Sequence, residues 1–256
     1  MLSLLPNPDR FRLPPAPFVS PGLYRGETET PAFEVKFLLT KAEALEVEVR
    51  LRGRLAPDPH ADPALGGAYH VTSVYFDTPA FDIYRRSDGF RRRKYRVRRY
   101  GSAPTAFLER KAKKQQVLRK RRTPVTLDQL SLLTSDGPAE WDGAWFARQL
   151  GKRGLRPICR VSYERVALIG ANPDGPMRVT FDRAALGAPA IGHDPELVTN
   201  GPRLLSDEVI AEFKFLGAMP AVFKDVVEGL RLAPRAVSKY RRCVQTIGLA
   251  GGAADA

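Results

Sequence analysis

The segment RRRKYRVRRY, residues 91–100, alternates basic side chains with apolar ones. Successive side chains of a β-strand point to opposite faces of a sheet. The basic residues at positions 92, 94, 96 and 98 would therefore share one face, while Tyr95 and Val97 lie on the other. The apolar pair marks the side that packs on a core. The segment therefore predicts a strand whose uninterrupted basic row, at positions 92, 94, 96 and 98, faces away from that core.

Further segments show the same two faces. They are FEVKFLL (33–39), TAFLERKAK (105–113), MRVTFDRAA (177–185) and EVIAEFKFLG (208–217), and YHVTSVYFDT (69–78) and ICRVSYERVAL (158–168) are also predicted strands. Any single strand of this kind is best explained by an ordinary sheet with one solvated face. Recurrence over five strands favours an antiparallel β-barrel, in which the charged rows converge in a basic lumen and the apolar rows pack outward under helices.

Helical spacing appears between and after these strands. Thr40 with Glu43 predicts a capping box at the start of a helix through Ala42, Leu45 and Val49. Further helices are predicted at 127–133, at 143–151, at 220–232 and at 237–247. Residues 1–31 contain seven prolines and predict an extended arm. We therefore expect one α+β domain over residues 32–248, followed by a flexible tail at 249–256.

The charge of the chain indicates the class of its partner. It has 41 Lys+Arg against 28 Asp+Glu, a formal net charge of +13, which favours nucleic acid, anionic lipid or phosphate compounds. Nucleic acid is the weakest of these, since the cations alternate with core residues on strands and no nucleic-acid-binding motif appears. Cys159 and Cys243 lack metal-ligand spacing, and no apolar run is long enough to span a membrane. These features predict a cytoplasmic protein with reduced thiols.

Seven motifs occur in a familiar order between about Phe33 and Cys243. They are FEVKFLL, SVYFDTPAFDIYRR…KYRVRRYG, FLERKAK…LRKRR, SYERVAL, MRVTFDR, AEFKFLGAMP and SKY. Their order resembles the VTC domain, the polyphosphate polymerase domain of the CYTH-like triphosphate tunnel superfamily. The resemblance implies a tunnel with a basic interior that takes ATP and polyphosphate and transfers the γ-phosphate of ATP onto a growing chain. It also implies a divalent metal, typically Mn²⁺ with Mg²⁺ as the alternative.

The resemblance implies the site residues as well. Glu212 matches the metal-binding carboxylate of the family, and Tyr163 either packs in the tunnel wall or touches the ligand. The predicted catalytic residues are Arg96, Arg98, Arg165, Arg178 and Glu212. The predicted phosphate-binding residues are Lys36, Arg85, Lys94, Lys111, Lys120, Arg122, Tyr163, Lys214, Ser238 and Lys239. Asp77 and Asp182 are expected to bond neighbouring arginines rather than a metal.

The first motif departs from the family pattern. Many relatives carry RxExK, but Ala32 stands at the first position here. Hydrolytic tunnel enzymes carry ExExK, whose acids hold metal, whereas this chain has only Glu34-Val35-Lys36. The departure weighs against the first alternative, a metal-dependent tripolyphosphatase in which water is the acceptor. A non-catalytic polyphosphate-binding module is the second alternative, and a membrane-protein partner and the oligomeric state stay open.

Overall fold

The computed structural model describes residues 32–114, 117–134 and 138–251. Within these ranges the strands are β1 (Ala32–Thr40), β2 (Ala56–Pro57), β3 (Ala68–Asp77), β4 (Arg93–Tyr100), β5 (Thr105–Lys114), β6 (Val117–Thr126), β7 (Arg156–Asn172), β8 (Gly175–Pro189) and β9 (Glu208–Leu216). The α-helices are α1 (Lys41–Arg52), α2 (Asp82–Arg85), α3 (Ala144–Arg153), α4 (Ala221–Gly229) and α5 (Lys239–Thr246). The arm predicted for residues 1–31 and residues 252–256 of the predicted tail lie outside the described residues.

All these strands join one antiparallel sheet in the order β1-β9-β8-β7-β3-β4-β5-β6, with β2 beside β7. The predicted antiparallel sheet with helices is confirmed, but closure into a barrel is wrong, because β1 and β6 do not pair with each other within the described ranges. The outer edge of β1 meets the segment after α4 instead, where the Arg235 amide donates to the Lys36 carbonyl at 2.8 Å. The sheet still curls, since Lys111 Nζ of β5 lies 3.5 Å from Glu34 Oε2 of β1.

Helices cover the convex face, where the apolar rows of the strands pack. Val97 of β4 is fully buried, and Phe146 of α3 lies edge-on to Phe76 of β3 with ring centroids 5.6 Å apart. Towards the β1 end, Phe223 of α4 lies 4.7 Å from Phe213 of β9. Aromatic rings bury much apolar surface, so these contacts hold the helices on the sheet. Two hydrophobic clusters result, and they leave the concave face to the charged rows.

Sequence patterning missed β6 and the short strand β2. The sequence of β6 is VLRKRRTPVT, which lacks an apolar row and contains Pro124. Its conformation depends on ten paired positions with β5, and proline is tolerated because β6 is an edge strand. The helix predicted at 127–133 is a 3₁₀ helix, Asp128–Leu133. In the described part of the chain, no helix has the length and apolar content needed to cross a membrane.

Candidate functional site

The concave face of the sheet holds a strongly charged cavity. It is lined by Glu34, Lys36, Tyr75, Lys94, Arg96, Arg98, Lys111, Tyr163, Arg165, Ile210, Glu212, Lys214, Val237 and Lys239. Eight of these are lysines or arginines and two are glutamates. Their side chains leave a free volume of about 60 Å³. Cations gathered in a partly buried space repel one another, and they attract compact anions for the same reason.

Strand alternation places most of these side chains. Lys94, Arg96 and Arg98 occupy every second residue of β4, and all three face the cavity. Strand register then brings separate rows together, since Lys94 lies opposite Lys111 of β5. Lys36 of β1 lies opposite Glu212 of β9 in the same way. The cavity is therefore a direct product of the pleat, with Lys239 added from the first residue of α5.

The β1 and β9 pair carries both glutamates of the cavity. Lys36 Nζ lies 2.9 Å from Glu34 Oε1 and 3.1 Å from Glu212 Oε2, so it bridges the two carboxylates. Lys214 Nζ lies 2.5 Å from Glu212 Oε1. Burial alone would raise the pKa of the Glu212 carboxyl, but Lys214 and Lys36 lower it well below its usual range. Glu212 is therefore ionised at neutral pH, as a metal ligand has to be.

Arg96 is held from outside the cavity by Glu109 of β5. Arg96 Nε donates to Glu109 Oε2 at 2.5 Å, and Arg122 Nε of β6 lies 3.3 Å from Glu109 Oε1. The Glu109 side chain is only 5% exposed. Burial alone would raise the pKa of Glu109, whereas Arg96, Arg98 and Arg122 lower it below its ordinary value. The carboxylate therefore stays charged and fixes the Arg96 guanidinium in one orientation.

A second buried carboxylate, Asp182 of β8, holds two more cations. Arg165 Nε and Nη2 donate to its two oxygens at 2.6 and 2.8 Å, which is a bidentate pair. Lys239 Nζ donates to the same Oδ2 that accepts from Arg165 Nη2. Burial alone would raise the pKa of Asp182, but Arg165 and Lys239 lower it below its usual range. The bond with Arg165 is the one expected from the sequence, and the bond with Lys239 ties α5 to the sheet.

Lys94 and Arg98 differ from the other six cations of the cavity. Within the described residues no carboxylate lies within ion-pair distance of either, whereas each of the six has at least one. Arg98 Nε donates to the neutral Ser73 Oγ at 3.0 Å. Burial lowers the pKa of Lys94 well below its ordinary value, and Lys36, Arg96 and Lys111 lower it further. These two cations mark where an anionic ligand would supply the missing negative charge.

Ten of the fifteen predicted site residues line the cavity, and five do not. The ten are Lys36, Lys94, Arg96, Arg98, Lys111, Tyr163, Arg165, Glu212, Lys214 and Lys239, and the five are Arg85, Lys120, Arg122, Arg178 and Ser238. Arg178 Nη2 donates to Asp58 and Tyr69 at 2.7 and 2.8 Å, beyond the lining residues. Ser238 Oγ accepts from the Arg241 amide at 3.4 Å and caps α5. Arg85 is exposed and donates to the Ala250 carbonyl at 3.5 Å.

The structure also adds residues that the sequence did not assign. Glu34, Tyr75, Ile210 and Val237 line the cavity. Glu34 shares the alternating row of Lys36, so the pattern contained a signal for it. Tyr75 had no such signal, because β3 is buried on both faces and does not show a charged row.

The donor set fits a hard divalent cation only in combination with a phosphate ligand. The described residues contain no group of three or more His, Cys, Asp or Glu side chains placed to hold a metal. They do place Glu34 and Glu212 on one wall, both within 3.1 Å of Lys36 Nζ. Mg²⁺ is commonly held by one or two carboxylates plus substrate phosphate oxygens. Glu212, with Glu34 beside it, would hold such an ion.

Comparison with known proteins places the chain in a family. Among solved structures, a candidate adenylate cyclase from Bacillus halodurans is 14% identical, with a TM-score of 0.48 over 80% of this chain and 92% of that chain. A Hippeastrum protein, studied as an adenylyl cyclase and described as having a dominant triphosphatase activity, is 14% identical, with a TM-score of 0.46 over 85% and 96%. No curated protein matches the sequence. The model of the VTC domain matches residues 32–247, and the chain therefore belongs to the VTC domain family.

Proposed function

We propose that this protein is a polyphosphate polymerase-type phosphotransferase that moves the γ-phosphate of ATP onto a polyphosphate chain inside the cavity. One observation carries the proposal: eight cations line a cavity in which Lys94 and Arg98 have no carboxylate partner among the described residues. A polyphosphate carries its negative charges in a row and could meet several cations at once. Membership of the VTC domain family supports the same class of substrate.

The chemistry that this proposal asks of the side chains is positioning and charge neutralisation. The P–O bond between the γ-phosphorus and the β–γ bridging oxygen breaks, ADP leaves, and a terminal phosphate oxygen of the acceptor chain forms the new P–O bond. The transition state spreads charge over the γ-phosphate oxygens, which suits the fixed donors of Arg96, Arg98 and Arg165. The lysines offer single mobile charges along the chain. No side-chain nucleophile is needed.

A divalent ion, Mn²⁺ or Mg²⁺, would neutralise the developing charge and align the phosphates. Glu212 is the residue we assign to hold it, since its carboxylate is buried, ionised and inside the cavity. The ion pairs with Lys36 and Lys214 keep this carboxylate in place. The free and buried state of Cys159 and Cys243 supports a cytoplasmic location, where ATP is available.

Two other functions use the same cavity. Hydrolysis of tripolyphosphate needs water as the acceptor, and the lone acid of the Glu34-Val35-Lys36 motif makes this the less favoured chemistry. Binding without catalysis needs only the cations. Incubating the pure protein with ATP, Mn²⁺ and a short polyphosphate primer, and separating the products by size, distinguishes the three. Chains longer than the primer support the proposal, while free phosphate alone, or no turnover with intact binding, contradicts it.

The Glu212→Gln variant tests the metal assignment. The amide keeps the shape of the side chain but loses its charge, so we expect turnover at saturating ATP to fall at least about tenfold, about 1.4 kcal/mol. Metal-free binding of polyphosphate should persist or strengthen, because a carboxylate has left an anion site. Glu208→Gln is the matched control, since Glu208 also lies on β9 and pairs with Arg242 at 2.6 Å outside the cavity. An active Glu212→Gln variant with an unshifted Mn²⁺ requirement would show that the metal sits elsewhere.

A further inference from the structure

Three exposed arginines lie outside the cavity in the connection between α2 and β4. We define Arg86, Arg91 and Arg92 as the outer arginine patch. Arg92 precedes the cavity residue Lys94 by two positions, so their Cα atoms are at most about 7 Å apart. The patch therefore begins where the row of cations on β4 leaves the cavity.

The patch is poorly neutralised by its surroundings. Arg91 Nη2 lies 3.8 Å from Asp88 Oδ1, and this carboxylate is fully exposed, so the pair is weak. Within the described residues no ion pair forms at Arg86 or Arg92. Some exposed cations elsewhere do have a close carboxylate partner, as Arg50 does with Glu46 at 2.7 Å. The patch is therefore a surplus of positive charge rather than part of a mixed surface.

Arg86 occupies a conformation that its residue type disfavours. Its φ is 60°, in the left-handed region where glycine or asparagine costs less. The residue ends α2, and its amide donates to the Asp82 carbonyl. An arginine at this position costs conformational energy that a glycine would not. This fits a function for its exposed, charged side chain, such as binding an anion.

We propose that the outer arginine patch binds the part of a long polyphosphate chain that extends beyond the cavity, so that the protein prefers long chains to short ones. This inference rests on the proposed function, because the cavity must first hold phosphate. Polyphosphate suits the patch better than nucleic acid does, because the aromatic residues that flank it in sequence, Tyr84 and Phe90, are half-buried. Arg241 lies 4.7 Å from the Tyr84 ring centroid and Arg153 lies 5.8 Å from that of Phe90, so both rings are covered. A base would find no open ring there on which to stack.

The test compares ligands of two lengths on the whole protein. The variant carries Arg86→Gln, Arg91→Gln and Arg92→Gln. The matched control carries Arg50→Gln, Arg54→Gln and Lys224→Gln, three exposed cations that do not line the cavity. Calorimetry with tripolyphosphate and with long-chain polyphosphate is repeated at several salt concentrations. Thermal melting checks that all three proteins are folded.

We expect the patch variant to bind tripolyphosphate as the parent does and to lose affinity for the long chain. The slope of log K for the long chain against log salt concentration should become less steep by about 2, because each of the three lost phosphate contacts contributes about 0.7. The control should keep both affinities. Equal long-chain affinity in the variant and the control overturns the inference while leaving the proposed function intact. A parent that binds neither ligand overturns both, and a single-stranded oligonucleotide that depends on the patch as strongly as polyphosphate does overturns the choice of ligand.

Discussion

The ion pair with Glu109 gives the Arg96 side chain a part in the stability of the fold. Repulsion among neighbouring cations, taken alone, predicts that removing Arg96 leaves the fold intact or stabilises it. The structure gives Arg96 a buried partner instead, with Glu109 held between Arg96 and Arg122. Removing Arg96 would leave Arg122 as the remaining arginine paired with Glu109, so the charge of this buried carboxylate would be only partly compensated. The side chain that we assign to bind phosphate therefore also supports the local structure.

We expect Arg96→Ala to lower the free energy of unfolding by up to about 3–5 kcal/mol, the usual cost of breaking a buried pair. Its affinity for tripolyphosphate should fall by about tenfold or more, since a charge-assisted contact is worth about 1.5–3 kcal/mol. Adding Glu109→Gln should recover neither stability nor affinity, because it also removes the carboxylate with which Arg122 pairs. Urea unfolding and calorimetry at fixed salt measure the two effects. An unchanged affinity in the folded single variant would remove Arg96 from the site.

At the scale of the elements, α5 carries one cavity residue and several anchors. Lys239 bonds Asp182 of β8, and Tyr240 Oη donates to Asp77 of β3 at 2.5 Å. The expectation that Asp77 bonds an arginine is wrong within the described residues: besides Tyr240, Asp77 accepts from the amides of Ile83 and Tyr84, each at 2.8 Å. Asp77 is the last residue of β3 and lies next to the first turn of α2, so backbone amides of that turn occupy its carboxylate oxygens. Two buried carboxylates thus set the position of α5.

Asp182→Asn tests whether this anchoring serves binding. The amide has one acceptor oxygen in place of two and no charge, so it cannot accept all three bonds from Arg165 and Lys239. We therefore expect lower stability and about tenfold weaker tripolyphosphate binding, equivalent to about 1.4 kcal/mol. Glu48→Gln is the matched control, because Glu48 of α1 is also buried and also joins two cations, Arg52 and Arg183. The control should lose stability and keep its affinity. Equal affinities in the two variants would reduce Asp182 to a structural residue.

At the scale of the whole molecule, the curled sheet brings many positive charges together, and their repulsion favours the neutral form of Lys94. Lys94 faces Lys36 of β1, Lys111 of β5 and Lys239 of α5, and shares β4 with Arg96. Burial and these cations lower its pKa well below the ordinary value. A bound anion would reverse the effect by favouring the protonated form. Ligand binding and protonation of Lys94 are therefore linked.

The lowered pKa of Lys94 sets the direction in which stability and affinity change with pH. Because the folded pKa is depressed, the unfolded chain binds a proton that folded Lys94 lacks, and the stability of the free protein should rise with pH between the folded pKa and about 10.4. Tripolyphosphate binding should take up protons and weaken as pH rises through the same window. In Lys94→Arg the charge is permanent, so both pH dependences should flatten. Calorimetry in two buffers of different ionisation enthalpy measures the uptake, and equal uptake in parent and variant would contradict the linkage.

Local pattern was enough to predict most of the elements and part of the site. The alternation in residues 91–100 placed Lys94, Arg96 and Arg98 on one face, and all three line the cavity. The capping box of Thr40 and Glu43 is confirmed at the start of α1. These features depend on bonds and side chains within a few residues of one another, so the sequence by itself determined them. The helix is found, but Leu45 and Val49 are exposed, and Ala44, Val47 and Leu51 face the core.

Tertiary structure decided the features that join distant segments. Pairing of Arg96 with Glu109, or of Arg165 with Asp182, depends on which strands are neighbours and in what register. The open edge of β1 depends on the segment at Arg235, which meets it from almost 200 residues away along the chain. Arg178 shares its row with Asp182, yet Asp58 holds it outside the cavity. An ion pair forms with the partner that the fold brings close. The alternation along a single strand determines which face a side chain lies on, but not which residue of another strand lies opposite it.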